Sequence, residues 1–360
     1  MHRTMRTSAP AILALFVAVT SCAAPAADTS TAPGASTSPG TTVSADPTAT
    51  PAPAFEGHPA AGLALLQWPD ANSPVSHVFA VDEDGSLRQV TGVSRQSTGA
   101  SLPAWSPDRS RIAFGPVKTG GGMTFEVGVV NADGTDERVV GIGQNPQWSP
   151  DGTRVLFEEV DDVTAEPRSM YVVDVETGEL TDLGQGASPQ WMPDGEQISF
   201  LRPFESPSDG GPVVMDYVID TVSVSGGEHE ELVAAEAIAW APDGSGCLLL
   251  REGTLSFAEP DGSNPRVVVD GGDPLWAPDG QSFVFVHGVD QNGIPLLAVS
   301  DLEGHAAWSG IPGAAPTWSP DGTRIAVEMP VPETSVQVLD ASTGGVLWET
   351  PGAQPEWGVP

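Results

Sequence analysis

The chain has 360 residues, with 14 Lys or Arg against 48 Asp or Glu and a formal net charge of −34. A balance this acidic repels nucleic acid and anionic lipid head groups, which argues against a nucleic-acid role. Only two cysteines are present, too few for a disulfide scaffold, and the length suffices for one large core.

Residues 1–21 read as an export signal: His2, Arg3 and Arg6 form a basic start, and Ala9 to Val19 an apolar segment too short to span a bilayer. Val19-Thr20-Ser21-Cys22 places small residues before a cysteine and resembles the lipobox of bacterial lipoproteins. The resemblance implies cleavage before Cys22 and a diacylglyceryl thioether on it. The protein would then be a lipoprotein held on the cell membrane by palmitate-type chains and facing the extracytoplasmic side. More than one acyl chain on Cys22 would make the anchor stable. The alternative is an ordinary secreted protein cut near Ala23 or Ala24. Residues 22–58 are dominated by Ala, Pro, Ser, Thr and Gly. They have too little apolar bulk to fold and read as a disordered linker. Residues 59–360 are left as the folded domain.

That domain is built on a repeat. Trp148-Ser149-Pro150-Asp151-Gly152 recurs as near-copies beginning at Trp191, Trp240, Trp276 and Trp318; a copy at Trp105 has Arg109 in place of the glycine. A seventh tryptophan, Trp357, shares the x-Pro-x-Trp lead-in of Asn145–Trp148 and Ser188–Trp191. Pro presets the first turn corner, Asp bonds its own backbone, and Gly takes the left-handed position. Three residues past each turn stand Ile112, Val155, Ile198, Cys247, Phe283 and Ile325, and five past stand Phe114, Phe157, Phe200, Leu249, Phe285 and Val327. The residues after each turn alternate or run apolar and β-prone, as in a strand packed on both faces; both columns face packed neighbours, and the tryptophans are wedged between neighbouring sheets.

Between the copies lie seven hairpin signals, at Gly85, Gly134, Gly178, Gly226-Gly227, Gly262, Gly304 and Gly344. A recurrence of about 40 to 45 residues made of strands and turns is the mark of a propeller blade. The expected fold is therefore all-β, a seven-bladed β-propeller. Six blades hold four consecutive strands. The seventh takes about Gly62–Gln67, His77–Val81 and Leu87–Thr91 from the N-terminal end and about Ala353–Trp357 from the C-terminal end, closing the ring without an open edge.

The W-[SAM]-P-D-G copies resemble the WD-like propeller repeats of the TolB family, found also in prolyl-oligopeptidase-type peptidases, over roughly Ala60 to Pro360. The resemblance implies architecture more than activity. TolB-type propellers bind an envelope lipoprotein, although here a tether and lipid anchor stand where that family has a separate N-terminal domain. The peptidases keep their catalytic residues in a hydrolase domain that the repeats do not contain.

Irregular loops are the expected place for specificity: Trp68–Ser76, Pro116–Met123, Glu158–Ser169, His287–Pro295 and, longest, Arg202–Met215. The acidic run Glu158, Glu159, Asp161, Asp162 lacks calcium-loop spacing and reads as solvated. Glu228-His229-Glu230 reads as an exposed turn, and Cys247 as core filler. No catalytic trio, metal site or cofactor is expected. The leading expectation is a monomeric, membrane-anchored, non-enzymatic binding or scaffold module for a protein, peptide or cell-envelope component. The rivals are an enzyme at the propeller mouth, either a polysaccharide lyase or a hydrolase, and a sensor domain of a membrane complex.

Overall fold

Every copy of the Trp-x-Pro-Asp turn is closed the same way. The third turn residue donates its backbone N–H to the carbonyl of the residue after the tryptophan, as in Gly152 to Ser149 and Arg109 to Ser106 (both 2.8 Å). The Asp side chain accepts the N–H two residues on, as in Asp151 from Thr153 (3.0 Å). Gly152 sits at φ +69° and Arg109 at +59°, the left-handed region in which glycine is unstrained and arginine is not.

The computed structural model of the chain describes residues 57–68, 76–92, 102–118, 125–159, 168–206, 214–330 and 334–357. All of these fall within the unit Ala52–Pro360. The expected export signal, Cys22 and most of the expected linker lie outside the described residues. Among the described residues every regular element is a strand, and all pairing is antiparallel.

Ala64–Gln67, His77–Val81 and Leu87–Gln89 form the first sheet, whose fourth strand is Ala353–Glu356. The two chain ends pair through Ala64 with Glu356 and Leu66 with Ala353. Ala104–Trp105, Arg111–Lys118, Phe125–Asn131 and Arg138–Ile142 form the next sheet. Gln144–Trp148, Arg154–Glu158 and Arg168–Asp174 lead into the twelve-residue strand Leu180–Trp191, which goes on to pair with Gln197–Ser206. Val214–Ser223 and Glu230–Ala234 complete that seven-stranded sheet. Three further four-stranded sheets begin at Ala237–Trp240, Gly272–Trp276 and Ala314–Trp318.

Both apolar columns pack as their pattern demands. All twelve side chains are 2% exposed or less, and the residues between them on the opposite face, Ala113, Leu156, Ser199, Leu248, Val284 and Ala326, are fully buried as well, so this strand is covered on both faces. The tryptophans join neighbouring copies. Trp148, Trp191, Trp276 and Trp318 each donate the indole N–H to the carbonyl just before the preceding repeat tryptophan, at Ala104, Gln147, Ala239 and Leu275 (2.9–3.3 Å). Trp240 uses Ser199 Oγ instead (2.8 Å). Trp357 donates to Ala61 (3.2 Å), and the buried Trp105 Nε1 has no partner among the described residues. Arg111, Arg154 and Arg324 stack on the next tryptophan, at 5.2 Å from Trp148, Trp191 and Trp357 respectively, a cation–π contact strengthened by burial. Arg324 also donates to the Pro59 carbonyl (2.7 Å) and to Asp321 (3.0 Å), so Pro59–Ala61 occupies the place a repeat turn fills elsewhere.

The loops depart from expectation. Gln197–Ser206 and Val214–Ser223 pair continuously over ten positions, so Arg202 to Ser206, expected in the longest loop, stand in a strand. The ladder wins because each added pair satisfies backbone groups a loop would leave to water. Likewise Ser282–Val289 and Pro295–Asp301 leave a five-residue turn organised by Asp290, which accepts the N–H groups of Asn292 (2.7 Å) and Ile294 (2.9 Å).

Candidate functional site

Each repeat tryptophan is preceded by a short lead-in on the strand that runs into it. Five lead-ins read Gly-x-x-Pro-x-Trp: Gly143–Trp148, Gly186–Trp191, Gly271–Trp276, Gly313–Trp318 and Gly352–Trp357. In each of these, and in the related Leu102-Pro103, the residue before Pro has positive φ: Leu102, Asn145, Ser188, Asp273, Ala315 and Gln354, at 44–54°. Register against the next strand shifts at this point in the copies of Asn145, Ser188, Asp273 and Ala315, which makes each a bulge. The one copy without the proline, Ala237-Ile238-Ala239-Trp240, pairs evenly with Cys247–Leu250. Proline is thus what separates bulged from unbulged copies, because it removes a ladder donor and pushes the preceding residue out of the right-handed helical region. A non-glycine residue in the left-handed region costs roughly 1–2 kcal/mol. Such strain repeated in six copies marks a constrained feature.

The lead-ins at 100–105, 143–148, 186–191, 235–240, 271–276, 313–318 and 352–357 contain no Lys, Arg or His. They do contain Glu236, Asp273 and Glu356, together with the amides Gln144, Asn145, Gln147, Gln190 and Gln354. Asp273 is exposed, yet the protein around it raises its pKa, as expected for a carboxyl in a recess. It has no hydrogen-bond or ionic partner among the described residues. Burial pushes Glu356 up to about 7 against the opposing hydrogen bond of the Thr317 hydroxyl. Glu158 is buried at the end of its strand and accepts hydrogen bonds from the side chains of Gln144 and Asn145, so it is not part of a solvated acidic run. Asp161 and Asp162 lie outside the described residues.

The histidines His58, His77 and His305 stay apart. His58 packs edge-on to Trp348 at 5.4 Å, His305 bonds Asp301 at 3.1 Å, and burial lowers the pKa of His77. Among the described residues no group of three His, Cys, Asp or Glu is placed to hold a metal ion. Asp108 is held ionised by its own turn: the hydroxyl of Ser106, then Ser110, brings it down to about 2. Cys247 is fully buried and its thiol is pushed up to about 12. Iodoacetamide at pH 8 is therefore expected to leave Cys247 of the folded protein unlabelled and to label it once the chain is unfolded in urea. Rapid labelling of the native protein would show an opening at this column. The lead-in glycines escaped the sequence reading, although their constant place five residues before tryptophan was available as a signal. A Cβ at Gly186 would stand 2.4 Å from Phe200, and one at Gly143 2.5 Å from the Glu158 carbonyl, so these glycines permit the close approach of edge strand to core.

No protein-family model matches the chain, and no curated protein matches it. Among solved structures it is similar to oligogalacturonate lyase from Vibrio parahaemolyticus, at TM-score 0.57 and 14% identity over 81% of this chain and 87% of that one. It is similar to a prolyl endopeptidase at TM-score 0.56 and 13% identity, over 80% of this chain and 50% of that one. TolB from Acinetobacter baumannii aligns at TM-score 0.48 and 17% identity, and the chain spans 66% of its length. The lyase and endopeptidase likenesses, with the all-antiparallel sheets, show a fold of the β-propeller type.

Proposed function

We propose that this chain is a TolB-like repeat propeller carried on a lipoprotein, a monomeric, non-enzymatic binding module that engages a basic protein or peptide segment. In this reading seven four-stranded blades close into a ring. The twelve-residue strand Leu180–Trp191 serves two blades, and Ala353–Glu356 completes the blade begun by the N-terminal strands. Support comes from the pairing of the chain ends and from the repeated indole-to-carbonyl bonds, which run in one direction from copy to copy. The seven lead-ins then surround the axis. The observation that carries the reading is their composition: acids and amides, without one basic side chain, on a protein of net charge −34. A mouth of that character raises the local concentration of cationic groups. Cys22 and the linker of residues 22–58 would hold the propeller at the outer face of the cell membrane.

The test is affinity capture from intact envelopes with the wild-type chain and with Asp273→Lys/Glu236→Lys. Capture of a basic partner by the wild type and its loss in the variant is expected; equal capture by both would sink the reading. In the same experiment Cys22→Ala is expected to move the protein from the membrane to the soluble fraction. One observation favours the second reading, an enzyme at the mouth. A carboxyl near pKa 7, as at Glu356, is suited to general acid–base work. Turnover of a polysaccharide that is abolished by Glu356→Gln would establish it.

A further inference from the structure

Where the lead-in Gly186–Trp191 begins, a cleft of about 460 Å³ is lined by Gln185, Gly186, Arg202, Pro203 and His229, within the range of about 300–1,000 Å³ typical of ligand sites. It forms where Leu180–Trp191 leaves one set of strand partners for the next: Gly186 still pairs with Arg168, and Ala187 already pairs with Leu201. His229 lies edge-on to Phe200 at 4.6 Å, and its Nε2 is 2.7 Å from the Leu183 carbonyl. A carbonyl only accepts, so Nε2 carries a proton, and in the Nε2–H tautomer Nδ1 is an acceptor. Arg202 is held from the other side. Its Nε and Nη2 donate to both oxygens of Asp220, whose side chain is 3% exposed, and Nη2 also reaches Glu231 at 3.3 Å. Nη1 has no partner among the described residues, and its two N–H groups remain available.

The charges decide what fits. Two carboxylates already outweigh the single charge of Arg202, so an anion entering the cleft would add to a local excess of negative charge. A cation finds no carboxylate among the residues that line the cleft. What remains is a rigid donor at Nη1, an acceptor at Nδ1, the Gln185 amide with both, and the apolar ring faces of Pro203 and His229. Hydroxyl groups donate and accept from one atom and sit beside C–H surfaces, which matches this wall better than a peptide chain with donors and acceptors fixed in opposite directions.

We infer that the cleft formed by Gln185, Arg202 and His229 is a lateral binding site for a short uncharged glycan. The inference is independent of the axial mouth and survives if that reading fails. Calorimetric titration of the full chain with maltotetraose and the N-acetylglucosamine tetramer, alongside tetragalacturonate and tetraalanine, tests it. At least one neutral glycan is expected to bind saturably, with tetragalacturonate about tenfold weaker. Gln185→Ala, an exposed change, is expected to weaken the neutral ligand about fivefold, as loss of one hydrogen bond does, with melting unchanged. Failure of both neutral glycans to bind would overturn the inference, as would equal or tighter binding of the uronate or the peptide. So would affinity left unchanged by both Gln185→Ala and His229→Gln.

Discussion

Trp357→Ala is expected to lower stability by about 4 kcal/mol, and Trp105→Phe by less than about 1 kcal/mol. Both residues belong to the same repeat column, and the difference lies in what each one touches. Trp357 is fully buried, donates its indole N–H to Ala61 at 3.2 Å, carries Arg324 over its ring at 5.2 Å, and gives its backbone N–H to Thr317 Oγ1 at 3.3 Å. Its removal opens a cavity and leaves the Arg324 side chain, 6% exposed, without the face it covers. The indole ties both chain ends together, so its truncation also frees Pro59–Ala61. Trp105 is only partly buried, and its indole nitrogen is buried without a partner. Phenylalanine there discards an unsatisfied donor, whose burial costs about 1–3 kcal/mol, and offsets the area lost. Urea denaturation of the two variants checks this. Equal losses, or a Trp357→Ala protein that unfolds like wild type, would mean that the terminal pairing contributes nothing to the cooperative unit.

Glu356→Gln is expected to leave stability unchanged near pH 4 and to raise it by ~3 kcal/mol at pH 8. Burial raises the folded-state pKa of Glu356 from 4.5 to about 7. For an acid shifted in this direction the wild-type stability is fully present below about pH 4.5, where both states are protonated. It declines as pH rises through about 7, where the folded protein must ionise a carboxyl it has removed from water. Each unit of separation is worth about 1.4 kcal/mol, and glutamine keeps the shape without the charge. Melting of the two proteins across pH 4–9 should therefore diverge only above about pH 5, reaching a gap of roughly 6 °C at the alkaline end. Parallel curves would show that Glu356 is hydrated in the folded protein. The position matters because Glu356 lies in the strand that pairs with Ala64, so its ionisation weakens the junction of the two chain ends.

Local chemistry made much of this protein readable from its residues. The Trp-x-Pro-Asp-Gly turns, the hairpin glycines and the two apolar columns are short-range patterns whose conformations follow from φ preferences and from the two-residue period of a strand. The turn glycines and hairpin glycines take positive φ, and every column residue is buried. The offset between tryptophans and hairpins led to the pairing of Ala353–Glu356 with Ala64–Gln67, because an unmatched strand at each end of a repeat array has few other places to go. Even the bulges were within reach, since a proline three residues after glycine and two before tryptophan specifies them.

What sequence pattern could not supply is which side chains meet across copies. Arg202 read as a loop residue and Glu158 as a solvated acid, and each instead finds a partner across strands, in Asp220 and Asn145. His229 stands in the exposed turn that was expected, yet its ring reaches the Leu183 carbonyl 46 positions away. Such meetings depend on how far a ladder runs and how two sheets approach, which is decided by the balance of backbone pairing and burial summed over many residues. The turns and strands were therefore written in the chain residue by residue. The cleft at Arg202, the raised carboxyl at Glu356 and the clasp of Arg324 on Trp357 exist only because packing brings distant residues to the same place and excludes water from them.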